Sequence, residues 1–328
     1  MSLVKYLKKV GLAGFSYLPS ELKIFIYRGM GAKIGKSVEL GLGSYIIPFD
    51  NNFKKIQIED GVIIEDGVHI LSRNLLLGKD SQIKDNTNIW GQSDFFIGKG
   101  VYIDKECHFD LRRNITLGNE VVISGGSWLY THMIFHSVLK GSPSKFGPIT
   151  IEERTYLGAN AFVLPDITIG HDAIIGARAV VTKNVKPDSV MVGNPAREIA
   201  HTSQKVKKLT REDKNIIVKN ILNDFVMIYD ENVCTIENKE NCCIIKMDNL
   251  HVFYLSSIEN FSLVERILRK YNKPLTLVSF EIPDAIKDMC SNNDVMWIDL
   301  ETGTKSLKTN KTNRILEKFL GNYGIKIS

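Results

Sequence analysis

With 328 residues, 44% of them hydrophobic and 24% charged, the chain lies in the globular range and is long enough for two domains. Its formal charge of +5 is mild, and its basic residues are spread along the chain rather than gathered in a block, so nucleic acid is not an expected partner. Five cysteines, Cys107, Cys234, Cys242, Cys243 and Cys290, form an odd set without CxxC spacing; this indicates neither a disulfide framework nor a zinc knuckle and fits a reducing, cytoplasmic setting.

Residues 1–30 hold two short helical patterns, VKYLKKVGL and ELKIFIYRGM, the second opened by Pro19 and Ser20 as a cap. No run approaches the eighteen or so apolar residues of a membrane span, and the segment after Lys8 and Lys9 is weak as a signal-peptide core. The helices are expected to cover one end of the domain that follows. Weak contact of Lys5, Lys8 and Lys9 with an anionic membrane surface is a subsidiary expectation.

From residue 31 to 200 the dominant period is six, not the helical 3.6 or the strand period of two. The cleanest run is Ile151, Leu157, Val163, Ile169, Ile175 and Val181. Four residues after each stand Thr155, Ala161, Ile167, Ala173, Ala179 and Val185, mostly small or β-branched. Upstream the ladder passes through Ile58, Ile64 and Ile70, then Leu77, Ile83 and Ile89, then Ile97, Ile103 and Phe109, then Leu117, Ile123 and Leu129. A unit this short is one strand plus a turn, with three units closing a coil and coils stacked about 4.8 Å apart. Glycines directly after the aliphatic position, at Gly35, Gly78, Gly98, Gly118, Gly158, Gly170 and Gly176, are expected to supply corner backbone angles that other residues resist.

Insertions in a stacked repeat must leave the stack as loops, and such loops carry function. Phe109 and Leu117 are eight positions apart instead of six, which makes Asp110, Leu111, Arg112, Arg113 and Asn114 a bulged corner. Leu129 and Ile151 are twenty-two apart. The phrases ITLG, ITIE and ITIG place Leu117, Ile151 and Ile169 on one face, so Leu129 stacks on Phe109 and precedes a long loop containing His132, His136, Lys140 and Lys145. An imidazole at a rigid corner, one coil from the Asp110 carboxylate, is suited to general-base chemistry. Trp128 and Tyr130 read either as corner packing or as a sugar-stacking surface.

The hexad resembles the hexapeptide-repeat family, which implies a left-handed triangular β-helix and a homotrimer. YTH at 130–132, TYLGANAFVLPDITIG, AIIGARAVVTKNV and GNPAREI at 193–199 are similar to the sugar O-acetyltransferase branch, including maltose, galactoside and surface-polysaccharide enzymes. The resemblance covers roughly residues 31–200. It implies an acetyl-CoA-dependent O-acetyltransferase acting on a sugar hydroxyl, with His132 as base and Asp110 orienting it or positioning the acceptor. It also implies a coenzyme site at Gly158, Ala159, Ala177, Thr182, Lys183, Pro195 and Arg197, and acceptor contacts among Trp128, Tyr130, Arg113 and Asn114. Two positions depart from the pattern: Tyr156 stands where relatives often carry tryptophan at the pocket wall. Arg178 stands where many carry glycine or serine, placed to narrow the coenzyme groove or to contact a phosphate.

Other functions of the same fold are N-acetylation of an amino sugar, zinc-dependent hydration with His108, His132 and His136 as ligands, and a non-enzymatic trimeric scaffold. The TK and NPAR phrases weigh against zinc, so no metal is expected. After residue 200 the hexad stops. A polar linker passes into a helix ending near Asp230, and CCIIKM, HVFYLS, FSLVERILRKY, LTLVSF, DAIKDMC, VMWIDL and NRILEKFLGNYG alternate strand and helix patterns. Residues 201–328 thus read as a small α/β domain without a phosphate loop or nucleophile motif.

Overall fold

The computed structural model describes residues 14–134, 136–202, 208–228, 234–239, 242–247, 250–256, 261–270, 275–306, 316–317, 319–321, 323, 325 and 327. The first helical pattern, with Lys5, Lys8 and Lys9, lies outside them, as does most of the closing one. Two compact units, Met1–Lys207 and Lys208–Ser328, divide the chain.

Short strands of the first unit stack into three parallel sheets, one per face of a prism. The first face runs through Lys33–Ile34, Ile56–Ile58, Leu75–Leu77, Phe95–Ile97, Ile115–Leu117, Ile149–Ile151 and Ile167–Ile169. The second runs from Glu39–Leu40 to Ser189–Val192, and the third from Tyr45–Pro48 to Val180–Val181. Leu117 pairs with Ile151 and Ile151 with Ile169, so the register holds across the long insertion, and Leu129 pairs with Phe109 as the spacing predicts. Every ladder residue from Ile58 to Val181 is buried, and Thr155, Ala161, Ala173 and Ala179 fill the inner corners. The strands are two to four residues long along the prism; each is held by hydrogen bonds to the coils on either side and by an inward aliphatic side chain, not by its own length.

The corner glycines do a different job from the one expected of them. Gly118 and Gly158 have ordinary backbone angles; a Cβ on Gly118 would stand 2.6 Å from the Glu153 nitrogen, and one on Gly158 would stand 2.5 Å from the Ala177 nitrogen. The requirement is close approach of the next coil. Left-handed backbone falls two residues later, where Gly61 and Gly126 alternate with Asp80, Asn160, Asp172 and Arg178. Asn and Asp tolerate that region through local hydrogen bonding.

Both ends of the prism need covering, because an end coil presents unpaired backbone groups. At the lower end the helix Ser20–Gly29 lies across the first coil. Its Lys23 is fully buried and donates from Nζ to the carbonyl oxygens of Ser16 (2.8 Å), Gly41 and Ser44 (3.3 Å). Burial pushes its pKa down. Ser20, expected to cap its own helix, makes no such bond; its hydroxyl accepts from the Leu40 N–H instead (2.9 Å) and ties the helix to the prism. At the upper end Arg197–His201 turns back antiparallel on Ser189–Val192.

In the second unit the strands Cys234–Lys239, Cys242–Met247, Leu250–Leu255, Leu275–Ser279, Met296–Asp299 and Thr304–Lys305 form one sheet in chain order. The middle pairings, Leu250–Leu255 with Leu275–Ser279 and the latter with Met296–Asp299, are parallel and span the helices Phe261–Lys270 and Asp284–Asn292. The expected α/β alternation is present, preceded by the helix Arg211–Ile228 and by a first strand, Cys234–Lys239, that the hydrophobic pattern does not announce. Cys107, Cys243 and Cys290 are buried and free, and burial raises their thiol pKa values, to about 12, 12 and 11. Among the described residues no helix is long and apolar enough to cross a membrane.

Gly118→Ala should therefore destabilise the first unit by about 1–3 kcal/mol, the cost of overpacking against an immovable backbone. Urea unfolding followed on the wild type and variant measures it; an unchanged midpoint would mean that the coils can part at no cost.

Candidate active site

Outward side chains of the third face alternate with the buried ladder: His108 and Asp110 flank Phe109, and Trp128 and Tyr130 flank Leu129 one coil above. After Tyr130 the chain leaves the stack. Thr131 stays inward, fully buried, and an antiparallel hairpin follows, in which His132–Ile134 pairs with Ser144–Phe146. The Gly147 N–H donates to the Thr131 carbonyl (3.1 Å) and closes the base of this arm. The long insertion is thus a built β-arm and not only the long loop that the spacing suggested.

The bulge and the arm meet. Thr131 donates its hydroxyl proton to the Asp110 carbonyl oxygen (2.7 Å) and its Oγ1 accepts from the Arg113 N–H (2.9 Å). The Arg112 N–H donates to Asp110 Oδ1 (3.3 Å). These bonds fix the carboxylate beneath the first residue of the arm, where His132 Nδ1 lies 2.7 Å from Asp110 Oδ1. A carboxylate only accepts, so Nδ1 carries the proton and the lone pair resides on Nε2. The imidazole side chain is about one-quarter exposed, at 26%, enough for a partner to reach it. The ring centroids of Phe146 and Tyr130 lie 6.1 and 6.3 Å from it, and the Arg113 guanidinium covers the Phe146 ring at 5.0 Å. Burial and the Asp110 charge push the Tyr130 phenol pKa up.

Asp110, His132, Tyr130, Trp128 and Arg113 are therefore brought together. Trp128 is 39% exposed and stacks on Tyr130 at 5.6 Å, with Phe162 completing an aromatic group. The rings pack together, and Trp128 still faces outward. Asn114 points into the stack below, its Oδ1 accepting from the Asp94 N–H (3.1 Å). Tyr156 lies on the second face, where its hydroxyl accepts from Ser124 (3.0 Å).

The residues considered for a coenzyme occupy two edges. Gly158 and Ala159 stack beneath Ala177 and Arg178 at the edge between the second and third faces, the Arg178 N–H donating to the Ala159 carbonyl (2.9 Å). The turn holding Gly193, Pro195 and Ala196 lies over the same edge, against Val180, and Arg197 follows it. Thr182 and Lys183 follow Val181 at the other edge of the third face, where the His132 arm also leaves; Val181 pairs with Val163 and Val163 with Leu129. That puts them two coils, roughly 10 Å, above the arm. Ala177, Arg178, Lys183, Pro195 and Arg197 are exposed.

Thr131, Phe146 and Phe162 escaped the sequence reading. Thr131 was findable as the inward neighbour in the YTH phrase. Phe146 was not, because its place beside His132 depends on hairpin register. His108, His132 and His136 do not converge on a common point: His108 stacks on Trp128 at 4.8 Å and His132 is held by Asp110. Among the described residues the His and acid groups that do converge are His171, Asp172 and Asp188. There the Arg154 guanidinium already grips Asp172 with two bonds of 2.8 Å and holds its carboxyl pKa down at about 2.

Residues 148–183 match the family model described as bacterial transferase hexapeptide (six repeats). With the three-sided stack and its hexad ladder, this identifies the class as a left-handed parallel β-helix. That stretch carries the hexapeptide repeat. A Staphylococcus aureus (strain COL) protein that bears the name of an acetyltransferase is 37% identical over 123 residues, 37% of this chain and 61% of that protein. Galactoside O-acetyltransferase of Escherichia coli (strain K12) is 28% identical over 126 residues, 38% of this chain and 62% of that protein. The matches thus span somewhat under two thirds of these relatives. Among solved structures, a maltose O-acetyltransferase from Clostridium difficile 630 aligns at 22% identity and TM-score 0.34, over 60% of this chain and 84% of that one. AntD, an N-acyltransferase from Bacillus cereus, aligns at 18% identity and TM-score 0.40, over 63% of this chain and 98% of that one.

In Asp110→Ala the His132 ring should lose its fixed tautomer, so that its ¹⁵N resonances shift from a single Nδ1–H pattern to an average of two; an unchanged spectrum would mean the carboxylate does not orient the ring. Separately, because the Asp172 pKa is depressed, its ion pair stabilises the fold above the ordinary carboxyl range and is lost as pH falls toward about 2. Arg154→Ala should raise the pH midpoint of acid unfolding, followed by circular dichroism.

Proposed function

We propose that this protein is an acetyl-CoA-dependent O-acetyltransferase acting on a sugar hydroxyl, of a surface polysaccharide or its precursor, with His132 as general base. The observation that carries this reading is the His132–Asp110 pair, 2.7 Å apart, at the root of an arm that leaves a rigid prism. The names of the relatives, an acetyltransferase and a galactoside O-acetyltransferase, support the reaction and the acceptor class.

Nε2 of the neutral imidazole takes the proton of the acceptor hydroxyl as its oxygen forms a bond to the thioester carbonyl carbon. The carbon–sulfur bond then breaks, and the imidazolium returns that proton to the departing thiolate. Atoms and charge balance without an acyl-enzyme. Asp110 stabilises the imidazolium while it exists, and Thr131 with the Arg112 N–H holds Asp110 in place.

Acetyl-CoA fits the edge formed by Gly158, Ala159 and Ala177, where small side chains leave the backbone approachable, with Arg178 and Arg197 as cations for its phosphates. Thr182 and Lys183 lie on the opposite edge of the third face, two coils above the arm. A homotrimer reconciles the two edges, since a neighbouring copy can set one against the other.

His132→Ala should lower thiol release from acetyl-CoA by about 10²–10⁴-fold while its dissociation constant, measured by calorimetry, stays within about twofold. Equal loss of binding and turnover would count against a base. Mixed assemblies of His132→Ala and Arg178→Glu chains should regain activity that neither has alone, and failure to complement would remove the shared site.

A further inference from the structure

Strand register arranges the outward residues of the third face into columns. One column runs Leu71, Trp90, Asp110 and Tyr130: Trp90 pairs with Leu71 below and Asp110 above, and Asp110 pairs with Tyr130. Two coil steps separate the Trp90 and Tyr130 backbones, about 10 Å. Between two large rings stands a short carboxylate, so the column is notched at Asp110. Trp90 is 52% exposed, an uncommon state for an indole with no ring, hydrogen-bond or ion partner among the described residues.

The Asp110 carboxylate is also half used. The Arg112 N–H and His132 Nδ1 both meet Oδ1, and the Thr131 hydroxyl oxygen lies 3.3 Å from it. Among the described residues Oδ2 accepts no bond. A pyranose presents apolar C–H faces and a rim of hydroxyl donors, which suits a site of stacked rings around a free acceptor oxygen. The column carries no cation, so it suits an uncharged glycan ring better than a diphosphate.

We propose that Trp90 determines acceptor specificity by stacking on a second sugar ring of a glycan whose neighbouring ring presents its hydroxyl to His132. Asp110 Oδ2 accepts from a hydroxyl of the bound glycan between the two. The acceptor class is thus an oligosaccharide or polymer of at least two rings, one against Trp90 and its neighbour at His132 across the Asp110 notch. This rests on the acetyl-transfer reading and adds the acceptor's length to it.

The full-length protein and its Trp90→Ala and Trp90→Phe variants would be applied to an array of defined mono- to hexasaccharides, with light scattering for mass and thiol release with each bound glycan. The expected result is binding to one or more glycans of two or more rings, weakened about tenfold by Trp90→Ala and largely kept by Trp90→Phe. The acceptor KM should rise in step while kcat and the acetyl-CoA KM hold. Binding unaffected by Trp90→Ala, binding confined to single sugars, no binding to any glycan, or a changed assembly mass that places Trp90 between copies would each overturn the proposal. Trp90-dependent glycan binding without any thiol release would instead defeat the transfer reading and leave the notch standing.

Discussion

The backbone hydrogen bonds that join one coil to the next determine where every outward side chain of the prism stands. Each strand is too short to persist alone, so its position is set by the coils above and below, and the buried aliphatic ladder makes the register expensive to change: a one-residue slip would turn Ile, Leu and Val to solvent along an entire face. Column neighbours are consequently fixed to about one strand spacing. The same closeness explains the corner glycines, since coils at this separation leave no room for a methyl group between Gly118 and the Glu153 backbone. It also explains Lys23, whose ammonium at the end of the stack takes up the Gly41 and Ser44 carbonyls of the first coil.

Against such regularity, two irregularities produce one feature. The two extra residues after Phe109 let Asp110 through Asn114 turn wide of the corner, and the insertion after Thr131 begins one coil above. The Thr131 hydroxyl couples them, bonding to Asp110 on one side and receiving the Arg113 N–H on the other. Neither irregularity alone would hold an imidazole. The bulge supplies an anchored carboxylate and the arm supplies the ring, while the prism supplies the fixed separation between them.

Much of this was legible in the residues. A period of six has few physical solutions, and repeated ITLG, ITIE and ITIG phrases carried the register across a twenty-two-residue gap, which placed Leu129 on Phe109 and His132 near Asp110. What failed did so for stated reasons. Glycine after an aliphatic residue looks the same whether its own torsion or a neighbour's proximity demands it, and only the stacked coils tell these apart. The arm's pairing of His132 with Phe146 depends on a hairpin register that polar, Gly- and Pro-containing sequence does not encode by pattern. In the second unit, the strand Cys234–Lys239 is polar enough to be passed over, and antiparallel pairing with Cys242–Met247 stabilises it. Trp90 escaped because in the hexad it occupies an ordinary outward position.

One carboxylate at the root of the arm faces two demands that are usually met by separate groups. A base must be oriented, which calls for a strong and directional acceptor at Nδ1; an acceptor sugar must be positioned, which calls for a polar atom open to solvent. Asp110 can meet both because the Arg112 N–H and His132 Nδ1 converge on Oδ1 while the Thr131 hydroxyl holds the Asp110 backbone carbonyl. Their convergence leaves Oδ2 fixed in direction yet unfilled. A longer carboxylate would gain a torsion and lose that direction, and an amide would present a donor to one of its two partners. The short side chain also makes the notch between Trp90 and Tyr130, so the feature that orients the ring is the one that shapes the space in front of it.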